Sequence, residues 1–411
     1  MLQAATERDP QRNGRVHRNG KRDNPSPMKI LIYVGNWAPA VGGIETITMD
    51  LARGLAAPRT AAGARETRVV VATRTPAGTM DDAALPFRVV RRPGLWQLLG
   101  LMRDADVVHL AGPMIAPLML AILARRPLVV EHHGFQPSCP NGLLVHTPTA
   151  SPCPGHFMAG RYRECLRCNA ARGAPRNALM FLLTCYRRWL CRRATVNIMP
   201  TRWLGTLLDL PRTTTVLHGL SASAPVATSD AQTPTFAFLG RLVSAKGVHV
   251  LLDAARQLKS EGLKFRLKVI GDGPERERLQ AFARTHGLDE VAFLGALPNA
   301  EVERELKEAS VMLMPSFGGE VFGLVALESM LRGKLVIVSD IGALAEVVGD
   351  AGLVCPIGDV DAWASAMRRV IQDPELRAAL GRKAYDRAVQ HFSSEQMIAG
   401  HLQVYESVLA P

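Results

Sequence analysis

The sequence alternates short runs rich in Val, Ile and Leu with longer amphipathic stretches, and this alternation constrains the fold more than any other feature. It is typical of βαβ units, in which helices connect parallel strands and cover the sheet. The strand candidates form two sets. The first is KILIYV, RVVVAT, FRVVR, DVVHL, PLVVEH, ATVNIM and TTTVLH, and the second is TFAFLG, FRLKVIG, VAFLG, SVMLMPS, LVIVSD and GLVC. Two sets predict an α/β protein with two Rossmann-like, doubly wound domains.

We expect an N-terminal domain over residues 28–220 and a C-terminal domain over residues 234–393. Residues 221–233 are small and polar, contain proline and lack a helical or strand period, which predicts a linker. A last helix, within residues 394–411, is expected to be able to cross back over the junction. Open α/β sheets bind ligands beyond the carboxyl ends of their strands, so the predicted site is the cleft between the two domains.

The ends of the chain and its longest apolar run bear on location. Residues 1–27 carry six Arg or Lys and lack the apolar block of a secretory leader, so we expect a flexible basic arm and a cytoplasmic protein. Residues 107–124 are uncharged but contain a His, a Gly and two prolines, which predicts strand, loop and helix rather than a membrane span. Peripheral attachment to the inner membrane face stays open.

The net charge of +12 is unevenly distributed, since residues 161–193 hold nine Arg against a single acidic residue, Glu164. A basic surface favours anionic partners such as lipid headgroups or phosphorylated substrates, and a solvated helix face is the alternative. Nucleic acid is disfavoured because no recognised binding motif accompanies the charge.

Two cations follow the strand FAFLG in the segment RLVSAKGVHVLL, with Arg241 in the loop and Lys246 at the first turn of a predicted helix. A cation at a helix N-terminus opposes the macrodipole, but an anion bound between them would complete the arrangement. Arg241 and Lys246 are therefore predicted to hold a diphosphate. Two solvated surface cations are the alternative.

Gly42 and Gly43 follow the first strand and precede a helix that is predicted to begin near Ile44. Glycines at this place let the backbone approach a ligand, and the helix end supplies N–H donors. The prediction gains weight because the pair occupies the equivalent position in the opposite domain.

The stretch SFGGEVFGLVALES carries a carboxylate near each end, Glu320 and Glu328. Glu320 falls in the loop after a buried strand and Glu328 in the following helix. Carboxylates accept hydrogen bonds from paired sugar hydroxyls, so we predict Glu328 at a ribose and Glu320 at a transferred sugar. Backbone N–H groups of Phe322, Gly323 and Leu324 are predicted to assist. The alternative places Glu320 as a helix cap and Glu328 in solvent.

These segments resemble the retaining glycosyltransferases of family 4, which have the GT-B fold. The resemblance rests on EVFGLVALE, GRLVSAKG, VIGDGPERERL, VAFLGALP and DIGALAEVVGDAGLVCPIGD, and is specific across residues 236–360. It implies transfer of a sugar from a nucleotide-diphosphate donor with retention of configuration, with no metal or other cofactor required. The implied acceptor is a glycan or lipid-linked glycan of cell-surface polysaccharide synthesis. A catalytically silent protein that binds nucleotide or glycan is the alternative.

The resemblance also implies roles for individual residues. Arg241 and Lys246 would neutralise the departing diphosphate, and the Gly42–Gly43 loop would contact phosphates or acceptor. Of the two histidines that end PLVVEHHGF, His133 matches the family position near the reacting sugar, while His132 is expected to pack.

A cysteine-rich insertion, residues 134–175, departs from a minimal family member. It contains Cys139, Cys153 and the pair Cys165-x-x-Cys168 in a region with little regular pattern. Such a long loop needs a staple, and two alternatives are open: a structural metal bound by these four residues, or ordinary thiols and disulfides.

Overall fold

A computed structural model describes residues 26–39, 42–58, 65–149, 151–168, 173–222 and 233–410. The predicted arm, residues 1–27, and the predicted linker, residues 221–233, fall almost wholly outside these ranges.

The N-terminal part of the chain contains nine strands and six helices among the described residues. The strands are β1 (Met28–Val34), β2 (Thr67–Thr73), β3 (Arg88–Arg91), β4 (Val107–Ala111), β5 (Leu128–Glu131), β6 (Val145–His146), β7 (Ser151–Pro152), β8 (Val196–Met199) and β9 (Thr213–Thr215). The helices are α1 (Gly43–Ala56), α2 (Leu95–Asp104), α3 (Ile115–Ala124), α4 (Tyr162–Cys168), α5 (Ala174–Cys191) and α6 (Arg202–Leu208).

The C-terminal part repeats the alternation of strand and helix. Its strands are β10 (Thr235–Leu239), β11 (Arg266–Ile270), β12 (Val291–Gly295), β13 (Val311–Met314), β14 (Leu335–Ser339) and β15 (Leu353–Cys355). Its helices are α7 (Val248–Ser260), α8 (Arg276–Thr285), α9 (Asn299–Glu308), α10 (Leu324–Leu331), α11 (Gly342–Val348), α12 (Val360–Gln372), α13 (Pro374–His391) and α14 (Ser394–Leu409).

The strands build two parallel sheets, which confirms the predicted fold class. One has seven strands in the order β3-β2-β1-β4-β5-β8-β9, and the other has six in the order β12-β11-β10-β13-β14-β15. Strand order reverses beside β1 and beside β10 in the two sheets, so the loops after these strands flank the switch points where ligands bind. Continuous apolar strands such as β4 and β14 are buried on both faces because helices cover both sides of each sheet.

Helix α14 follows the C-terminal domain and packs on the N-terminal one. Ile398 lies directly against Gly54 of α1, and the Tyr405 hydroxyl lies 2.9 Å from Nδ1 of His109 on β4. A capping box at Ser393 and Gln396 starts this helix. The C-terminal helix thus ties the two domains together.

The insertion after β5 has elements that the sequence pattern did not predict, the antiparallel pair β6–β7 and the short helix α4. None of the described helices is long and apolar enough to cross a membrane.

Candidate functional site

A cavity of about 520 Å³ lies between the two domains at the carboxyl ends of their strands. It is lined by nine of the ten residues that the sequence singled out: Gly42, Gly43, His133, Arg241, Lys246, Glu320, Phe322, Gly323 and Leu324. We refer to it as the donor cavity, after the role that the sequence predicts for its lining residues. Its volume is within the range of sites for small molecules and cofactors.

Two helix N-termini meet at this cavity. Helix α1 begins at Gly43 and α10 at Leu324, and within the described residues neither is capped by a side chain. A Cβ on Gly43 would lie 2.7 Å from Cδ1 of Leu324, so only glycine permits this approach without displacing the leucine. Backbone N–H groups from both domains therefore face the same space, an arrangement that favours anions.

Lys246 and Glu320 form an ion pair inside the cavity. The Ser316 hydroxyl also donates to Oε1 of Glu320 over 3.2 Å. Lys246 ends a 3-10 turn, Ser244–Lys246, and so precedes α7 rather than lying in its first turn as predicted. The loop is fixed by Gly247, whose φ of +70° and contact with the Pro315 carbonyl leave no room for a side chain.

Glu328 is the predicted residue that does not line the donor cavity. Only the segment from Leu324 onward is helical, so Glu320 lies in the loop and Glu328 one turn beyond Leu324. Residues four apart share one helix face, which places Glu328 deeper along the face that Leu324 begins. Burial raises the pKa of Glu328, and Arg332 opposes this only in part.

A second, smaller pocket of about 200 Å³ lies on the N-terminal domain beside the donor cavity. Its polar lining comes from Asn36, Glu45, Arg74, Gln136 and Arg187. His133 and Ile44 line both cavities, so His133 stands at their junction.

His133 rests on a buried carboxylate that sequence reasoning missed. Glu131, the last residue of β5, is 1% exposed, and its Oε2 lies 3.4 Å from Nε2 of His133. His218 bonds to the same carboxyl group through Nε2 over 3.3 Å, and His109 and His401 approach it at 3.2 and 3.5 Å. Burial alone would raise the pKa of Glu131, but the surrounding histidines hold it well below its ordinary value. The carboxylate is therefore ionised and orients the imidazole at the cavity junction.

His132 points away from the cavity, as expected for a packing residue. Its Nε2 donates to Oδ1 of Asn197 over 2.9 Å. The amide nitrogen of Asn197 donates to the carbonyls of Cys191 and Pro211, which leaves the amide oxygen to accept from the histidine. Burial lowers the pKa of His132 from 6.5 to about 4.

Metal-binding residue types come together in the described chain at the Glu131 cluster. His109, Glu131 and His401 form one set with ligand atoms within 4.8 Å of one another, and Glu131, His133 and His218 form a second. Imidazole and carboxylate could hold a metal ion. The same contacts serve to neutralise a buried carboxylate.

Both the sequence and the fold are similar to those of known proteins. Residues 223–387 match the family model for glycosyl transferases group 1. This part of the chain is similar to the group 1 glycosyl transferases.

Two curated relatives each match part of the chain. The phosphatidyl-myo-inositol mannosyltransferase of Mycolicibacterium smegmatis is 33% identical over 177 residues, which is 42% of this chain and 45% of that protein. The 2-deoxystreptamine glucosyltransferase of Streptomyces kanamyceticus is 35% identical over 166 residues, 38% of this chain and 43% of that protein. The matched regions thus span less than half of these relatives.

Solved structures resemble the whole described architecture. Anabaena Alr3699/HepE in complex with UDP and glucose superimposes with a TM-score of 0.67 at 19% identity, covering 92% of this chain and 100% of that one. Sucrose-phosphate synthase from Thermosynechococcus elongatus gives a TM-score of 0.66 at 20% identity, covering 93% and 99%. The expected GT-B fold is confirmed.

Several residues that line the two cavities were not predicted from the sequence. Arg74 and His218 follow β2 and β9, so the rule that ligands bind at strand ends could have found them. Arg187 was hidden in the arginine-rich run, where nothing distinguished it from its neighbours. Leu143 reaches the donor cavity from the cysteine-rich insertion, a contact that no local pattern encodes.

Proposed function

We propose that the protein is a retaining glycosyltransferase that moves a sugar from a nucleotide-diphosphate donor to an acceptor held by the N-terminal domain. The observation that carries the proposal is the convergence of Lys246, Arg241 and two uncapped helix N-termini on one cavity. Cleavage of a sugar–phosphate bond leaves negative charge on the departing diphosphate. Cations and N–H dipoles fixed at that position stabilise the charge as it develops.

The donor is proposed to lie along the α10 side of the cavity. The diphosphate would lie between Arg241, Lys246 and the N–H groups of Phe322 to Leu324. Glu328, one turn further along α10, would bind the ribose, and Glu320 would accept from hydroxyls of the transferred sugar. In the absence of donor Lys246 and Glu320 neutralise each other, and a bound diphosphate would take over the lysine.

The acceptor is proposed to occupy the smaller pocket, with His133 beside the reacting carbon. His133 is placed for this role because it lines both cavities. Arg187 and Arg74 favour a polar or anionic group on the acceptor, and a glycan or lipid-linked glycan would supply one. No metal is assigned to the transfer step, since lysine, arginine and backbone dipoles supply the positive charge.

Contact with an anionic membrane surface is proposed through α4 and α5. Tyr162, Leu182 and Trp189 are exposed on these helices, and the Arg193 guanidinium lies 3.2 Å from the Trp189 ring centroid. Aromatic, aliphatic and arginine side chains together suit the headgroup region of a bilayer. Sedimentation with vesicles of anionic and of zwitterionic lipid tests this. If the protein binds neither kind of vesicle, the membrane surface is excluded as a partner.

A screen of UDP, GDP, ADP and their common sugars by thermal shift tests the central proposal. A ligand that binds only the folded protein raises its melting temperature, and the donor should then be hydrolysed or transferred when a glycan extract is added. The anomeric configuration of the product, read by NMR, tests retention. Binding without turnover in any acceptor extract would favour the alternative, a catalytically silent nucleotide- or glycan-binding protein.

A further inference from the structure

The cysteine-rich insertion brings four cysteines from three separate pieces of backbone around one small space. Cys139 follows β5, Cys153 follows β7, and Cys165 and Cys168 lie one turn apart in α4. The space they enclose has a volume of about 10 Å³. That is room for a single water-sized sphere, and thus for one atom rather than a small molecule.

Polar hydrogens are directed at these sulfur atoms. The Thr147 backbone N–H and the Asn141 amide point to Sγ of Cys168 over 3.3 and 3.2 Å. The Cys139 thiol instead donates to Oδ1 of Asn141 over 2.9 Å, so the Asn141 side chain contacts the sulfur atoms of two of the four cysteines. N–H donors aimed at sulfur stabilise a thiolate, and such partners orient the ligands of metal sites.

We propose that Cys139, Cys153, Cys165 and Cys168 form a structural zinc site. Four thiolates are a preferred ligand set for tetrahedral Zn²⁺. Space for one atom disfavours an iron–sulfur cluster, which the same four thiolates could otherwise hold. The zinc would take no part in the transfer chemistry itself.

Cys139, Cys153 and Cys168 are thiols in the structure. Within the described residues, sets of three ligand atoms closer than 4.8 Å occur only around Glu131. Zinc would therefore pull the thiols inward. Among its described residues the insertion has two-residue strands, one 3-10 turn and a seven-residue helix to resist this movement, and metal binding would supply further folding energy.

The insertion also forms part of the donor cavity, so zinc binding is expected to affect that cavity. Leu143, between Cys139 and Cys153, lines that cavity. A Cβ on Gly318, in the loop that carries Glu320, would lie 2.7 Å from Val145 and 2.8 Å from the Leu143 carbonyl. The zinc-bound insertion thus supports the loop that places Glu320, and this second step rests on the proposed function.

Metal analysis of the full chain, expressed with zinc and purified without chelator, tests the site. We expect about one zinc per chain. The double variant Cys165→Ser/Cys168→Ser should lose it, while Cys185→Ser and Cys355→Ser, which change cysteines outside the insertion, should retain it. His146→Ala and His156→Ala separate the thiols from a histidine ligand, because both histidines border the space and neither should be needed.

If the cysteine variants do not fold, replacement of zinc by cobalt in the unmutated chain provides a second test of the ligands. Four thiolates around Co²⁺ give sulfur-to-metal charge-transfer bands and intense visible bands of a tetrahedral site. No zinc, zinc retained by the double variant, an iron–sulfur spectrum, or a cobalt spectrum without thiolate bands would each overturn the proposal.

Removal of the zinc should also weaken the thermal shift produced by the nucleotide, because the Gly318 loop loses support. This readout depends on the donor site, whereas metal content does not. Zinc bound with no response to any nucleotide would uphold the metal site and count against the proposed function. If nucleotide binding is unchanged after zinc is lost, the zinc site does not affect the donor cavity, and only that part of the proposal is wrong.

Discussion

Lys246 and Glu320 are paired across the donor cavity, so the cation proposed for the diphosphate is neutralised before any donor arrives. The pair joins the turn before α7 to the loop before α10, and it keeps both side chains at the cavity wall. A partly buried charge without a partner is costly, and the pairing offsets that cost for both side chains.

Lys246→Ala should reduce kcat/KM with the donor by about 100-fold, because one fixed positive charge at the leaving diphosphate is lost. Lys383→Ala is the matched control, since Lys383 pairs with Asp350 on the surface far from the cavity lining. Steady-state kinetics with the donor found by the nucleotide screen measures both. An equal loss in the two variants would mean that Lys246 has no special role.

Gly43→Ala should lower kcat/KM by about 10-fold, because the added methyl group pushes Leu324 and separates two helix N-termini that must be held in register. Gly100→Ala provides the control, as a Cβ on Gly100 in α2 meets nothing within 4 Å. That substitution should stabilise the protein by up to about 1 kcal/mol through helix propensity. Full activity of Gly43→Ala would show that the close contact with Leu324 is not needed.

His133→Ala should lower kcat by about 100-fold with little change in nucleotide affinity, because the imidazole lies at the junction of the cavities rather than at the diphosphate. His391→Ala, a change at an exposed histidine at the end of α13, controls for the loss of an imidazole. Single-turnover kinetics and nucleotide titration separate the two effects. A weaker affinity with an unchanged kcat would place His133 in donor binding instead.

Arg187→Met should raise the KM for the acceptor and leave donor binding unchanged. Its guanidinium is anchored on the carbonyls of Pro113 and Gln136 at 2.9 and 3.4 Å and borders the smaller pocket. Methionine preserves much of the apolar stem, so the packing is retained. Arg192→Met, which removes an exposed arginine of the same run, should alter neither constant.

Stability should fall as the pH drops from near 7 to about 4, because buried histidines must stay neutral in the folded state. The folded pKa of His132 is about 4 against an ordinary value of 6.5. Over this interval the unfolded chain binds a proton at this histidine that the folded protein does not bind. The free energy of unfolding therefore falls by about 3 kcal/mol. His109 and His218 have pKa values lowered by burial and add in the same direction, and Glu131 adds further loss once the pH falls below its ordinary value of 4.5.

Urea unfolding at several pH values measures this slope. His132→Gln keeps a donor for Asn197 but cannot titrate, so its unfolding free energy should depend less on pH. His286→Gln, at an exposed position, should behave as the unmutated protein. Parallel pH profiles for all three proteins would show that His132 is not responsible.

All thirteen strands expected from the sequence are present, and the strongest local signals come from the apolar runs of buried parallel strands such as β14. Strands β6 and β7 were missed because two-residue strands carry no period. Nine predicted site residues meet at one cavity for a similar reason: each lies just after a strand or at a helix N-terminus, and parallel sheets gather these positions at one edge.

The sequence alone determined the two-domain α/β architecture, the residues at the strand ends and the cysteine pattern, since each depends on local periodicity and spacing. Only the tertiary structure decided that Lys246 pairs with Glu320, that Glu131 supports His133, and that the insertion touches the Gly318 loop. These contacts join residues far apart in the chain, and their geometry is set by how whole sheets and helices pack. No local pattern carries that information.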